Sequence, residues 1–208
     1  MSGPWDQPRH RVLVTGGSGF IGTNLIEQLL QVGCTVVNVS RRAPRCLEQA
    51  HLFREVDILN LHALMRAFDA FEPDAVVHLA AETGFMRHPN RRGYEINTRG
   101  TANVIQAVAA HRCVTRCLFA SSNVVCRNEW GTLSRDGGPP RGLYGESKVI
   151  AERMIREDIT MTCAWCIVRP CYVWGPWFDA PFKDFSCRLP ASAISTWGHL
   201  TRVNAWAT

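Results

Sequence analysis

Short apolar runs alternate with helical patterns along this chain. Apolar residues recur at helical spacing over about 20–32, 61–71 and 95–111, and again from residue 144 onwards. Continuous apolar runs between them predict five strands, at residues 11–15, 35–39, 75–81, 117–122 and 162–169. Strands of this kind, alternating with helices, are typical of a parallel sheet with helices on both faces. The pattern predicts a doubly wound α/β fold.

The first predicted strand runs into a turn with glycines at intervals of three. In RVLVTGGSGFIG these are Gly16, Gly19 and Gly22. We expect Gly16 to leave the strand in a conformation that other residues avoid, and Gly19 to let backbone amides approach a phosphate. Gly22 then lets the helix lie close to the strand, with its positive end under the phosphate. In this strand–turn–helix context, the turn indicates a site for the pyrophosphate of a dinucleotide, as in Rossmann folds.

Composition narrows the class of protein. With 208 residues, 46% of them hydrophobic, the chain is long enough for one substantial core. The formal charge is +5, but no basic stripe interleaved with aromatic residues is present, so we expect no nucleic-acid partner. No apolar run is long enough for a membrane span, and MSGPWDQPRH has no apolar segment typical of a signal peptide. We therefore expect a cytoplasmic protein without a membrane partner.

The nine cysteines raise the alternatives of a metal site or disulfides. Cys163 and Cys166 have CxxC spacing, but they lie in an apolar run that is typical of a strand. Alternate side chains of a strand point to opposite faces, so this pair does not converge on a metal. No second pair completes a four-ligand site. We expect reduced, packed thiols and no metal.

A tyrosine and a lysine four residues apart, Tyr144 and Lys148, open the fourth predicted helix and lie on one face of it. A nearby cation lowers the pKa of a phenol, and a phenol tuned in this way exchanges protons near neutral pH. Ser121 and Ser122 end the fourth predicted strand, at the sheet edge where ligands bind in doubly wound folds. We therefore expect serine, tyrosine and lysine to converge.

Six ordered motifs carry a family resemblance over about residues 11–185: TGGSGFIG, VVHLAA, NTRGTANV, FASS, YGESK and VRPCYVWGP. Together they resemble the extended short-chain dehydrogenase/reductases, and more narrowly the NAD(P)-dependent epimerase/dehydratase branch, which acts mainly on nucleotide sugars. The resemblance implies hydride transfer between a sugar carbon and a nicotinamide. Alternatives are a non-sugar alcohol or steroid dehydrogenase of the same family, or a catalytically inactive dinucleotide-binding module.

The resemblance also implies roles for single residues. Tyr144 is implied as the general acid/base, Lys148 as the group that tunes it and holds the nicotinamide ribose, and Ser122 as the hydroxyl that binds the substrate oxygen. The positions implied to contact the cofactor are Gly16, Gly19, Phe20, Ile21, Gly22, Asp57, Ile58, Leu79, Ala80, Ala81, Asn97, Tyr144 and Lys148. Dehydratases of the family carry acids where this chain has Asn123 and Val124, so we expect no dehydration.

Two arginines follow the second predicted strand, in the order Ser40, Arg41, Arg42. Folds that prefer NAD place an acid here for the ribose 2′-hydroxyl, whereas arginines accommodate a 2′-phosphate. The sequence therefore predicts a site for NADP or NAD, with NADP slightly favoured and both arginines as donors. The alternative is that both arginines are solvated loop residues.

The resemblance also implies how the protein assembles. Along the sequence, the resemblance ends near residue 185. Family members often dimerise through the helices that correspond to 95–111 and 144–157, which predicts a possible homodimer. For apolar residues of these helices such as Val108 and Ile155, an outward orientation and an ordinary core position are equally open alternatives. We assign residues 1–185 to a NAD(P)-binding domain and 186–208 to a tail that does not resemble the family. Because the family's substrate lobe is missing, we expect a truncated product with little activity, whose last predicted strand forms an exposed sheet edge.

Overall fold

A computed structural model describes residues 10–83, 88–125, 140, 142–171 and 173–178 of the chain. Its strands form one parallel sheet of six, in the spatial order β3-β2-β1-β4-β5-β6. The strands are β1 (Arg11–Thr15), β2 (Thr35–Ser40), β3 (Phe53–Glu55), β4 (Ala75–His78), β5 (Arg116–Ala120) and β6 (Ala164–Val168). The strand order reverses between β1 and β4, which makes the doubly wound architecture predicted above.

Within the described ranges, four α-helices connect the strands: α1 (Phe20–Gln31), α2 (Leu61–Phe71), α3 (Glu95–Ala110) and α4 (Gly142–Glu157). Short 3₁₀ helices lie at Leu47–Leu52, Arg91–Tyr94 and Asn123–Val125. Helix α2 begins where its sequence predicts, because the Asn60 side chain accepts a hydrogen bond from the Ala63 amide (3.0 Å) and caps the first turn.

Two apolar clusters show that helices cover both faces of the sheet. On one face, Ile26 of α1 packs with Val12, Val14 and Val36. On the other, α2, α3 and α4 contribute to a larger cluster that includes Leu64, Phe68, Val104, Val108 and Ile155. Of the two alternatives for Val108 and Ile155, the core position is confirmed, because both side chains are buried in the larger cluster.

The sheet differs from its prediction at its first edge. The prediction missed β3, a strand of three residues that pairs with β2. At the other edge of the sheet as described, β6 exposes Ala164 and Cys166, as expected for an edge strand. The predicted tail, 186–208, lies outside the described residues.

Candidate active site

The glycine-rich turn lies at the carboxyl edge of the sheet, between β1 and α1. Gly16 has φ +73°, and a Cβ atom added there would lie 2.6 Å from the Ala80 amide nitrogen. Its own amide donates to the Val39 carbonyl of β2 (2.9 Å). The predicted conformation of Gly16 is confirmed, and the turn passes so close to Leu79 and Ala80 that only glycine fits.

Helix α1 directs its N-terminus at the same edge. A Cβ atom on Gly22 would lie 2.5 Å from the Gly17 Cα atom, so Gly22 brings α1 close to the turn itself. The N-cap residue is Gly19, which provides no side-chain hydrogen bond to the first helical turn. Amides without a side-chain cap, next to a turn without Cβ atoms, fit the pyrophosphate of a dinucleotide. Phe20 and Ile21 occupy the first turn of α1, with Ile21 exposed.

A buried polar cluster ties this turn to the end of β2. The Ser40 hydroxyl donates to Asn38 Oδ1 (2.8 Å), and the Asn38 amide donates to Ser18 Oγ (3.0 Å). The Ser18 backbone amide in turn approaches Ser40 Oγ (3.3 Å). Directly after Ser40, the side chains of Arg41 and Arg42 are exposed. Ser40 is therefore the last residue of β2, and the two positively charged side chains of Arg41 and Arg42 follow it directly.

The other predicted cofactor positions lie on neighbouring strand ends. Asp57 and Ile58 follow β3, where the Asp57 carboxylate accepts from the Leu59 amide (2.9 Å) and Ile58 is buried under α3. Leu79, Ala80 and Ala81 continue from β4, beside the glycine-rich turn. The fold thus brings the predicted positions from β1, β2, β3 and β4 to one edge of the sheet.

A continuous hydrogen-bond chain runs beneath this edge through His78. The Ala80 amide donates to Thr15 Oγ1 (3.3 Å), whose hydroxyl contacts His78 Nδ1 (2.7 Å). On the other side, His78 Nε2 contacts Thr101 Oγ1 (3.1 Å), and the Thr101 hydroxyl donates to the Asn97 carbonyl (2.8 Å). Because the Thr101 hydroxyl gives its proton to the Asn97 carbonyl, its oxygen accepts from His78 Nε2. The neutral imidazole therefore carries its proton on Nε2, and Nδ1 accepts from the Thr15 hydroxyl.

Burial and the Lys148 cation together lower the pKa of His78 from its usual 6.5 to about 3. Both effects disfavour a positive charge on the imidazole, and desolvation is the larger. The ring is therefore neutral at physiological pH.

Asn97 joins the segment after β4 to α4. Its Oδ1 accepts from the Glu82 amide (2.8 Å), and its amide group donates to the Glu82 carbonyl (3.0 Å) and to Ser147 Oγ (2.9 Å). The Ser147 hydroxyl donates to the Tyr144 carbonyl (2.7 Å). In this structure, Asn97 thus fixes the backbone that carries Tyr144.

Ser122, just after β5, lies close enough to Tyr144, in the first turn of α4, to act on its phenol. Burial raises the pKa of the Tyr144 phenol, and the neighbouring Ser122 side chain offsets only part of that effect. The predicted lowering of this pKa by Lys148 is wrong for the structure, because desolvation dominates and the lysine is engaged elsewhere.

Lys148 is buried, and its ammonium donates to the Ala120 carbonyl at the end of β5 (2.9 Å). Desolvation lowers the pKa of Lys148 to about 8. The structure therefore brings Ser122, Tyr144 and Lys148 to the end of β5, as the sequence predicts, with a lysine that still carries its proton at neutral pH.

The segment 173–178 returns from the β6 edge to α1. The Asn24 amide group donates to the Pro176 carbonyl (2.9 Å), and Arg45 donates to the Trp177 carbonyl (2.8 Å). The Phe178 ring packs against Phe20 with centroids 5.0 Å apart. We call residues 173–178 the returning segment. It links the β6 edge to the turn and to the loop after β2.

Sequence reasoning missed several of these residues. Asn24, Arg45, Asn38 and Ser147 act through partners that are distant in sequence, and nothing in their local pattern marks them. Asn123 offers no acid and donates to Cys171 Sγ (3.1 Å).

Among the described residues, no group of three or more His, Cys, Asp or Glu side chains is arranged to hold a metal, and no helix is long and apolar enough to cross a membrane.

The sequence profile of the NAD-dependent epimerase/dehydratase family matches residues 12–203. A 3β-hydroxysteroid dehydrogenase/Δ5→4-isomerase of Mycobacterium tuberculosis is 34% identical over 181 residues, covering 79% of this chain and 47% of the relative. UDP-glucose 4-epimerase 2 of Oryza sativa subsp. japonica is 31% identical over 174 residues, covering 76% of this chain and 42% of the relative. The chain thus spans about half the length of the curated relatives it matches.

Solved structures match the same architecture. The Bordetella bronchiseptica enzyme WbmG, in complex with NAD and UDP, superposes with a TM-score of 0.74 at 27% identity, over 87% of this chain and 59% of WbmG. The UDP-glucose 4-epimerase of Thermus thermophilus, in complex with NAD, has a TM-score of 0.71 at 29% identity, over 81% and 57% of the two chains.

Proposed function

Because this chain belongs to the NAD-dependent epimerase/dehydratase family, we propose that it binds a nicotinamide dinucleotide and transfers hydride to and from a nucleotide sugar. The observation that carries the proposal is that Ser122 and Tyr144 come together at the end of β5, where the Ala120 carbonyl also holds the Lys148 ammonium (2.9 Å). This convergence lies at the same sheet edge as the glycine-rich turn, so the two halves of the site face one crevice.

Each of the three side chains has a distinct task in this proposal. The Tyr144 oxygen, ionised as a phenolate, takes the proton of the substrate hydroxyl during oxidation, and the resulting phenol returns that proton during reduction. The Ser122 hydroxyl donates to the substrate oxygen and orients it. The Lys148 ammonium, held at the end of β5 by the Ala120 carbonyl, binds the hydroxyls of the nicotinamide ribose. A bound nicotinamide supplies the hydride acceptor or donor for this chemistry.

The substrate class rests on relatives that act on nucleotide sugars. A second candidate is oxidation of a 3β-hydroxysteroid, which the mycobacterial relative favours. The decisive experiment incubates the protein with UDP-sugars and with 3β-hydroxysteroids, each with NAD or NADP, and separates the products by mass spectrometry and chromatography. An epimerised sugar supports the proposal, an oxidised steroid supports the second candidate, and cofactor binding without any product leaves a dinucleotide-binding module and overturns both.

We further propose that NADP binds at least as tightly as NAD, through Arg41 and Arg42. Ser40 holds the place of the acid that accepts a ribose 2′-hydroxyl, and both exposed arginines are suited to a 2′-phosphate. Replacing both by alanine is expected to weaken NADP about 10- to 100-fold and NAD less than about threefold, since two charge-assisted bonds are lost only for NADP.

Isothermal titration with each cofactor measures this difference. The double replacement of the exposed Arg112 and Arg153 by alanine removes the same net charge away from the crevice and serves as the control. An equal loss of affinity for both cofactors in the Arg41→Ala/Arg42→Ala variant would rule out a phosphate role.

Assembly and location complete the proposal. A homodimer through α3 and α4 has support from the partly apolar surface between them, to which Ala102, Ala109 and Met154 contribute. We expect light scattering to give twice the chain mass at micromolar concentration, and a monomeric mass would rule out the dimer.

The seven described cysteines are unpaired, which supports a reducing compartment such as the cytoplasm.

A further inference from the structure

A carboxylate lies one helical turn beyond the buried lysine, on the same face of α4. Glu152 is buried, and its two oxygens accept from Arg169 Nε (2.8 Å) and Arg169 Nη2 (2.6 Å) at the end of β6. Arg156 reaches Oε2 from the next turn of α4 (3.3 Å). This fork-like pairing fixes the plane of the Glu152 carboxylate and holds α4 against β6.

Glu152 is ionised in spite of its burial. Desolvation opposes the charged form, but the hydrogen bonds and charge of Arg169, with a smaller contribution from Arg156, lower the pKa of Glu152 below its usual value. The negative charge is thus fixed inside the interface between helix and sheet.

Lys148 and Glu152 line the same small cavity, of about 10 Å³, together with His78, Ser121 and Ala120. The groups that face Lys148 are Glu152 from α4, the neutral His78 from β4, the Ala120 carbonyl from β5 and the Ser121 side chain that follows it. Arg169 lies beyond Glu152 on the β6 side. Among these described neighbours, Glu152 is the only group that carries a negative charge.

An ammonium buried without an opposite charge loses its proton, because desolvation penalises the charged form. The Glu152 carboxylate acts against the desolvation that lowers the pKa of Lys148. Removing the carboxylate while keeping the side-chain volume therefore favours a neutral amine near neutral pH.

We propose that Glu152, oriented by Arg169, is the counter-ion that keeps Lys148 charged within the site, and that Glu152 is thereby a positioning residue that acts through the lysine. Its effect on catalysis rests on the proposed function, whereas its effect on the charge of Lys148 does not.

The chain suits a direct measurement, because its sequence contains two lysines, Lys148 and Lys183. In a Lys183→Arg background, protein labelled with ¹³C at lysine Cε gives a single side-chain signal that follows the protonation of Lys148. We expect Glu152→Gln to move the titration midpoint of this signal down by about one pH unit or more. Glu157→Gln, at the exposed end of α4, is the matched control and leaves the midpoint in place.

Three results decide the proposal. A midpoint in Glu152→Gln that equals that of the parent overturns it, and so does a parent midpoint below neutral pH. Glu152→Asp keeps the charge and is expected to stay within about half a pH unit of the parent, which separates charge from packing. If Glu152→Gln does not fold, the parent and Glu152→Asp titrations still test the proposal.

Activity gives a second readout for this inference. If the protein turns over a substrate, the limb of the pH–rate profile that reports Lys148 is expected to shift with the NMR midpoint. A shifted midpoint without any turnover supports the counter-ion while rejecting the proposed function.

Discussion

Replacing Tyr144 by phenylalanine is expected to lower kcat/KM for the sugar or steroid substrate about 10²- to 10⁴-fold, the range typical of losing a general acid/base. The variant keeps the ring and loses only the hydroxyl, which lies near Ser122. Because this hydroxyl contacts the reacting oxygen in the proposed mechanism, the loss should fall mainly on kcat, with cofactor affinity changed less than about threefold.

Tyr94→Phe is the matched control for this experiment. Its ring lies 6.3 Å from that of Tyr144 and is buried as deeply, so the control removes a neighbouring phenol from the same environment. We expect its kcat/KM to stay within about tenfold of the parent. Turnover by Tyr144→Phe at the rate of the parent would show that the tyrosine does not transfer the proton.

Acid should destabilise the fold through His78 by about 3 to 5 kcal/mol between pH 6.5 and pH 3. The folded state holds this imidazole neutral, with a pKa lowered to about 3, whereas the unfolded chain protonates it near 6.5. Between these values the unfolded state binds more protons, so the free energy of unfolding falls as the pH falls. Above pH 6.5 the contribution is fully present, and below about pH 3 it is lost.

His78→Gln tests this linkage, because glutamine offers an amide and a carbonyl to the two threonines but does not titrate. We expect the variant to lose about 1 to 3 kcal/mol at neutral pH and to show a flatter dependence down to about pH 3. Denaturant unfolding at a series of pH values measures both, with His51→Gln as an exposed control. An unchanged slope in His78→Gln would mean that other groups cause the acid sensitivity.

Much of the fold follows from local pattern. The predicted bounds of α2 agree with the structure, because both the Asn60 cap, directly before the helix, and the apolar spacing along it belong to the local sequence. The doubly wound architecture is equally readable, because buried parallel strands appear as continuous apolar runs. β3 escapes this reasoning, since its three residues are partly or fully exposed and owe their extended form to pairing with β2.

The positions of the predicted site residues could be predicted from the sequence better than their electrostatics. The placement of Ser122, Tyr144 and Lys148 follows from where strands end in such a fold. The direction of the pKa change at Tyr144 does not, because it depends on how deeply α4 is buried and on where the lysine ammonium points. Partners such as Asn97 with Ser147, or Glu152 with Arg169, form only once α3, α4 and β6 pack together.

The returning segment has a consequence for the order in which the molecule forms. Asn24 and the Pro176 carbonyl that it contacts are 152 residues apart, and Arg45 and Trp177 are 132 apart. During synthesis the glycine-rich turn leaves the ribosome long before these partners exist, so α1 and the loop after β2 gain these contacts only later. Contacts of such long range also raise the contact order, which slows folding. A nascent chain that stops before residue 173 would therefore display the glycine-rich turn and α1 without the returning segment beside them.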